Sequence, residues 1–143
     1  MLAYEIESLP ERAQKITELV VKCAVRPLCR PRISRGGFVY QPTKNQQSLF
    51  YELQQVREVL DIDYPVIIDT YIMFKKPPGC KYDYPIRQRD GDEDNLRKAL
   101  NDALVKKGVL KDDKWVIGGE NFKFFGKEDQ VIFNIFTVDG GGR

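Results

Sequence analysis

The sequence predicts an α/β (α+β) domain, a mixed β-sheet with helices packed on it. Three observations carry this. Apolar residues alternate at 17–25 and again at 129–138, and an almost unbroken apolar run fills 65–77; these are strand patterns. Between them, 43–60 and 95–107 repeat their apolar residues every three or four positions, which is the helical period. A chain of 143 residues with 42% hydrophobic content suits one core and leaves no room for a second.

Residues 1–16 read as an N-terminal extension. Ser8 and Glu11, with capping-box spacing around Pro10, predict a short helix there. In 17–25, Leu19, Val21, Cys23 and Val25 share one face of a strand. Pro27, Pro31 and Pro42 then break the chain, and Gly36–Gly37 predicts a turn between two short extended pieces. Helix 43–60 follows, with Leu49, Leu53, Val56 and Leu60 on its inner face. The run 65–77 predicts a central strand, and 78–91 a long loop. In the helix from Asn95 to Lys107, Leu96, Ala99, Leu100, Ala103 and Leu104 form a clean buried stripe, and Gly108 stands where a C-cap glycine belongs. Two strands joined by Gly126-Lys127-Glu128 complete a single domain over 17–138, and 139–143 reads as a flexible tail.

Composition removes several chemistries. There is no histidine, so Ser-His-Asp and Cys-His machinery and His-ligated zinc are excluded. Cys23, Cys29 and Cys80 form no CxxC pair, and so sparse a set suggests a reducing, cytoplasmic setting. No apolar run reaches the roughly 20 residues of a membrane helix, and the N-terminus lacks the apolar core of a secretory signal. The net charge of +2 means that any nucleic-acid binding must come from local patches.

The densest chemistry lies around the helix at 95–107. Asp92 and Asp94 precede it, i and i+2 in extended chain, with Asp94 expected as its N-cap. Asp112 and Asp113 follow it; a third carboxylate joins the first two if the next strand doubles back beside the helix start. Clustered carboxylates repel unless a cation sits among them. An all-oxygen donor set suits Mg²⁺, with Mn²⁺ as a substitute. Lys98, expected in the first helical turn, faces the unfavourable positive end of the macrodipole, and neighbouring carboxylates or a phosphate would offset this. It is a candidate to stabilise charge on a reacting phosphate. Against this stands a plainer reading: acids that merely start a helix, and a Lys98–Asp102 pair at i, i+4 on a solvated face. A calcium loop is excluded, because Asn95 stands where that loop needs Gly and Asn101 where it needs Glu.

No acid occurs between Glu18 and Glu52, while Lys22, Arg26, Arg30, Arg32, Arg35 and Lys44 fall in the gap with Phe38 and Tyr40 among them. A second basic group, Lys75, Lys76, Lys81, Arg87 and Arg89, leads into Asp92. Arginines interleaved with aromatics suit phosphate contact and base stacking. Arg30, Arg32, Arg35, Arg87 and Arg89 are the candidate DNA-backbone contacts. A polyanion beside a divalent-ion cluster points to phosphodiester chemistry.

The segment "DEDNLRKALNDALVKKGVLKDD" resembles the signature of the RusA family of Holliday-junction resolvases: D-x-D-N, a Lys four residues after the second Asp, D-A-L, then a D-D pair. "CRPRISRGGFVYQPTK" is similar to that family's looser R-P-R…Y-x-P segment. The likeness covers about residues 20–138. It implies a RusA-like fold, an intertwined homodimer, and a Mg²⁺-dependent endonuclease that resolves four-way DNA junctions by paired symmetric cuts in the cytoplasm, at the nucleoid. By position it implies Asp92, Asp94 and Asp113 as catalytic, metal-binding aspartates and Lys98 as the catalytic lysine, with Asn95 and Asp112 in support. Two departures stand out: the acid at Asp90-Gly91, where the family tends to be basic or neutral, and the N-terminal extension. The alternatives are a related nuclease acting on flaps, forks or other branched DNA, and a non-catalytic DNA-binding protein.

Overall fold

The computed structural model describes residues 9–25, 32–33, 36–37, 39–40, 53, 56, 60–86 and 93–138. Its elements are a one-turn helix α1 (Leu9–Arg12), then β1 (Ala13–Val21), β2 (Arg32–Ile33), β3 (Val39–Tyr40) and β4 (Val66–Lys75). Helix α2 (Glu93–Lys107) leads through a 3₁₀ turn (Asp113–Trp115) to β5 (Val116–Gly118), β6 (Asn121–Gly126) and β7 (Gln130–Val138). The α+β class expected from the sequence is the class observed.

A five-stranded mixed sheet runs β1-β7-β4-β5, with β6 continuing beside β4 after β5. β7 is antiparallel to both neighbours, whereas β5 and β6 run parallel to β4. The apolar run at 66–75 is therefore flanked on both sides, as a nearly continuous hydrophobic strand should be. β2 and β3 form a separate antiparallel pair, Arg32 opposite Tyr40 and Ile33 opposite Val39, on either side of the glycine turn.

Strand alternation and the helix stripe meet in one core. Leu19 and Val21 of β1, Val66, Ile68, Ile72 and Phe74 of β4, and Val131, Phe133 and Ile135 of β7 are buried on one sheet face. Leu96, Ala99, Leu100, Ala103 and Leu104 of α2 are buried as the stripe requires. Most of helix 43–60 lies outside the described residues, but Leu53 is fully buried and Val56 packs on the core. β1 starts four residues before the expected 17 and ends at Val21, with a register shift between Lys15 and Thr17; Cys23 and Val25 are buried beyond the strand end. The shift inserts a residue into an edge strand, which periodicity does not reveal.

The other sheet face carries an apolar row. Val20, Ile132, Tyr71 and Phe122 are register partners across β1, β7, β4 and β6. Tyr71 and Phe122 stack with ring centroids 5.7 Å apart, and Val20 and Phe122 are 44% and 49% exposed.

Candidate active site

The C-terminal end of α2 is built by local rules. Gly108 adopts φ 90°, the left-handed cap, and its N–H bonds the Val105 carbonyl at 3.1 Å. The Val109 N–H returns to the Leu104 carbonyl at 3.0 Å, closing the helix. The chain is then pinned to the segment entering β4: the Ile62 N–H bonds the Val109 carbonyl at 3.0 Å, and the Lys111 N–H bonds the Ile62 carbonyl at 2.9 Å. Ile62, Val109 and Leu110 are fully buried. The aspartate pair leaves directly from this fixed point.

Asp112 and Asp113 are both exposed but differ in role. Asp112 caps the 3₁₀ turn from extended backbone, its Oδ1 accepting the Lys114 N–H at 3.0 Å. That backbone bond, above all, holds its carboxyl below the ordinary range. Asp113 is pushed the other way. A hydrogen bond shared with the Asp112 side chain is the largest cause, with partial loss of solvent and the charges of Asp112 and Asp102 adding to it; Lys98 pulls back. So Asp112 is committed to the backbone, while Asp113 is the carboxyl crowded by negative charge.

Asp113 thus stands beside the middle of α2, within electrostatic reach of Lys98 and Asp102. A shallow pocket of about 290 Å³ follows the helix from there, lined by Asp102, Val105, Lys106, Lys111, Asp112 and Asp113. The helix begins at Glu93, two residues before the expected start at Asn95. Asp94 is therefore in the first turn and not at the cap, exposed like its neighbour Asn95. Lys98 falls in the second turn, where the macrodipole has largely faded, so the dipole argument for its partner loses force; its exposed position near Asp113 remains.

Asp92, Arg30, Arg35, Arg87 and Arg89 lie outside the described residues, and of Arg32 only the backbone on β2 is described. The structure brings Lys98, Asp112 and Asp113 to one region and puts Asp94 and Asn95 at the helix start. Among the described residues, no three acidic or cysteine side chains close to ligating reach of one point. The donors that are present have the right chemistry for a hard divalent ion: exposed carboxylate oxygens, one of them unfavourably surrounded by negative charge.

The family model described as Endodeoxyribonuclease RusA matches residues 24–135, more than three quarters of the chain. The chain belongs to the RusA endodeoxyribonuclease family. No curated protein matches it. The RusA assignment makes it a nuclease type that cuts DNA within the strand. The matched span runs from the end of β1 almost to the end of β7, so the whole α2–Asp113 region falls inside it. Asp102 enters the sequence reading as the first residue of the D-A-L element and as a pairing partner of Lys98, without a site role. In the structure its half-buried side chain acts on Asp113 as well; its i+4 spacing from Lys98 and its place in D-A-L are the signals that mark it. No described helix is long and apolar enough to cross a membrane.

Proposed function

We propose that this protein is a Mg²⁺-dependent, structure-specific endonuclease that resolves four-way DNA junctions by paired symmetric phosphodiester hydrolysis. The observation that carries the reading is the placement of Asp113 near Lys98, from sequence positions 15 residues apart, inside the span of a DNA-endonuclease family. Asp92, Asp94 and Asp113 are the proposed metal-holding carboxylates. These residues would hold a divalent ion, which when bound would supply water activation and charge stabilisation at the leaving 3′ oxygen.

The chain's own groups divide the remaining work. Lys98 offers its ammonium to the charge that builds on the phosphate. Asp112, fixed by the Lys114 N–H, holds the turn that presents Asp113. Asp102 adds negative charge behind Asp113, which keeps the site attractive to a cation. The arginines at 30, 32, 35, 87 and 89 are the proposed backbone contacts. A homodimer is part of the proposal, because a four-way junction has approximate two-fold symmetry and two opposed strands must be cut. The apolar row Val20–Ile132–Tyr71–Phe122 supports it by offering surface to a second copy.

The test uses a synthetic four-way junction with and without Mg²⁺, beside a flap and a linear duplex. Symmetric nicks in two opposed strands of the junction are expected, only with the metal. Asp113→Asn should bind the junction and leave it intact. Preferential cutting of the flap would redirect the substrate, and undiminished cutting by Asp113→Asn would reject the site.

A further inference from the structure

We infer that Lys106 and Lys111 form a phosphate-binding rim on the pocket that holds Asp113, seating the DNA backbone next to the bond to be cut. The inference rests on the nuclease reading above and adds two contacts to it. Both lysines are exposed, and both line the same pocket as Asp102, Asp112 and Asp113. They reach it by different routes. Lys106 belongs to the last turn of α2, and Lys111 lies beyond the Gly108 cap, with its backbone held by the Ile62 carbonyl at 2.9 Å. The ion pairs Lys15–Glu18 and Lys76–Asp83 involve neither of them.

The electrostatics call for such groups. Asp102, Asp112 and Asp113 alone would give the pocket a charge of −3 and repel a phosphodiester; the two ammonium groups bring it to −1. The net repulsion is reduced rather than reversed, and the two ammonium groups give a phosphate local cationic partners at the rim while the carboxylates remain for a cation. A lysine at the end of a helix is ordinarily explained by the macrodipole, and that accounts for Lys106. It does not account for Lys111, which follows the helix and still returns to this pocket. Val105, the apolar member of the lining, offers no competing hydrogen bond. A phosphate is tetrahedral and anionic, and two mobile ammonium groups suit it as point charges.

The experiment measures binding without cleavage. A fluorescently labelled four-way junction is titrated in EDTA over a series of salt concentrations, with wild type, Lys106→Gln, Lys111→Gln and the double variant. Each lost phosphate contact lowers the slope of log K against log[salt] by about 0.9 on duplex DNA. The double variant should therefore lose about 1.8, each single variant about half of that, and Lys106→Arg/Lys111→Arg should keep the wild-type slope. Lys127→Gln, an exposed lysine in the turn before β7, should also keep it. An unchanged slope in the double variant overturns the inference, as does an equal loss in Lys127→Gln. Failure of the nuclease reading has a separate signature: wild type binds the junction, with its slope carried by these lysines, yet cuts nothing when Mg²⁺ is supplied.

Discussion

Replacing Gly119 by alanine should cripple the sheet edge that follows Asp113, while the same change at Gly118 should pass almost unnoticed. Gly119 joins β5 to β6 at φ 136°, in the region open to glycine. A Cβ built there would stand 1.8 Å from the Ile68 carbonyl oxygen and 2.5 Å from its carbon, both main-chain atoms of β4. Relief to an ordinary contact requires the two strands to part by more than an ångström. Two hydrogen bonds sit at this junction: the Thr70 N–H to the Glu120 carbonyl at 2.8 Å, and the Glu120 N–H to Asp69 Oδ1 at 2.9 Å. Each contributes about 0.5–1.5 kcal/mol, and the forced backbone conformation costs about 1–3 kcal/mol. Gly119→Ala should thus lose about 2–6 kcal/mol, a large part of the roughly 5–15 kcal/mol of a typical domain. At Gly118 a Cβ meets nothing within 4 Å, and the effect should stay within about 0.5 kcal/mol. Urea unfolding followed by circular dichroism gives both values, read from midpoints at constant m. A loss below about 1 kcal/mol in Gly119→Ala, or equal losses at the two positions, would refute the steric argument.

Three further outcomes are expected. Leu100→Ala empties a fully enclosed site between α2 and the sheet and should cost about 2–5 kcal/mol in the same unfolding assay. On the proposed homodimer, Phe122→Lys places a charge in the apolar row and should give monomer in sedimentation at concentrations where wild type is a dimer; a dimer that persists would remove that face from the proposed interface. Asp113→Asn should raise the melting temperature at neutral pH. The folded-state pKa of Asp113 is raised, so its contribution to stability is present below the ordinary Asp value and lost as pH rises through the folded value. Asp112 has the opposite sign: its contribution is present above the ordinary value and lost as pH falls through the lowered one. The gain in Asp113→Asn should therefore shrink on acidification towards pH ~4, and a melting temperature that falls at neutral pH would contradict the crowding of charge at that carboxyl.

Much of the framework could be read from local pattern because local physics sets it. The α2 stripe, the Gly108 cap and the alternation in β7 each follow from a period or a backbone preference. The helix α2 starts two residues before the position the pattern predicts, because acids serve equally at the cap and in the first turn, so Asp92, Glu93 and Asp94 offer three consistent beginnings. The proximity of Asp113 to Lys98 and Asp102 depends on how the chain is pinned at Ile62 after the helix, a tertiary contact without a sequence period. The difference between Asp112 and Asp113 was equally hidden: adjacent and identical residues are separated only by which one meets the Lys114 N–H. The split of the last parallel strand at Gly119 shows itself in sequence as no more than a glycine pair.

The tether between Ile62 and the Val109–Lys111 segment has a consequence for how this molecule ages and fails. A reactive carboxylate on a free loop can drift out of place while its scaffold endures, giving a partly disarmed population that still looks native. Here Val109 and Leu110 are sealed in the interior, and Val109 and Lys111 on either side of Leu110 are hydrogen-bonded to Ile62 in the lead-in of the central strand. Heat or denaturant has to dissolve that interior before Asp113 can wander, so under the proposed role of Asp113 competence and integrity are lost together.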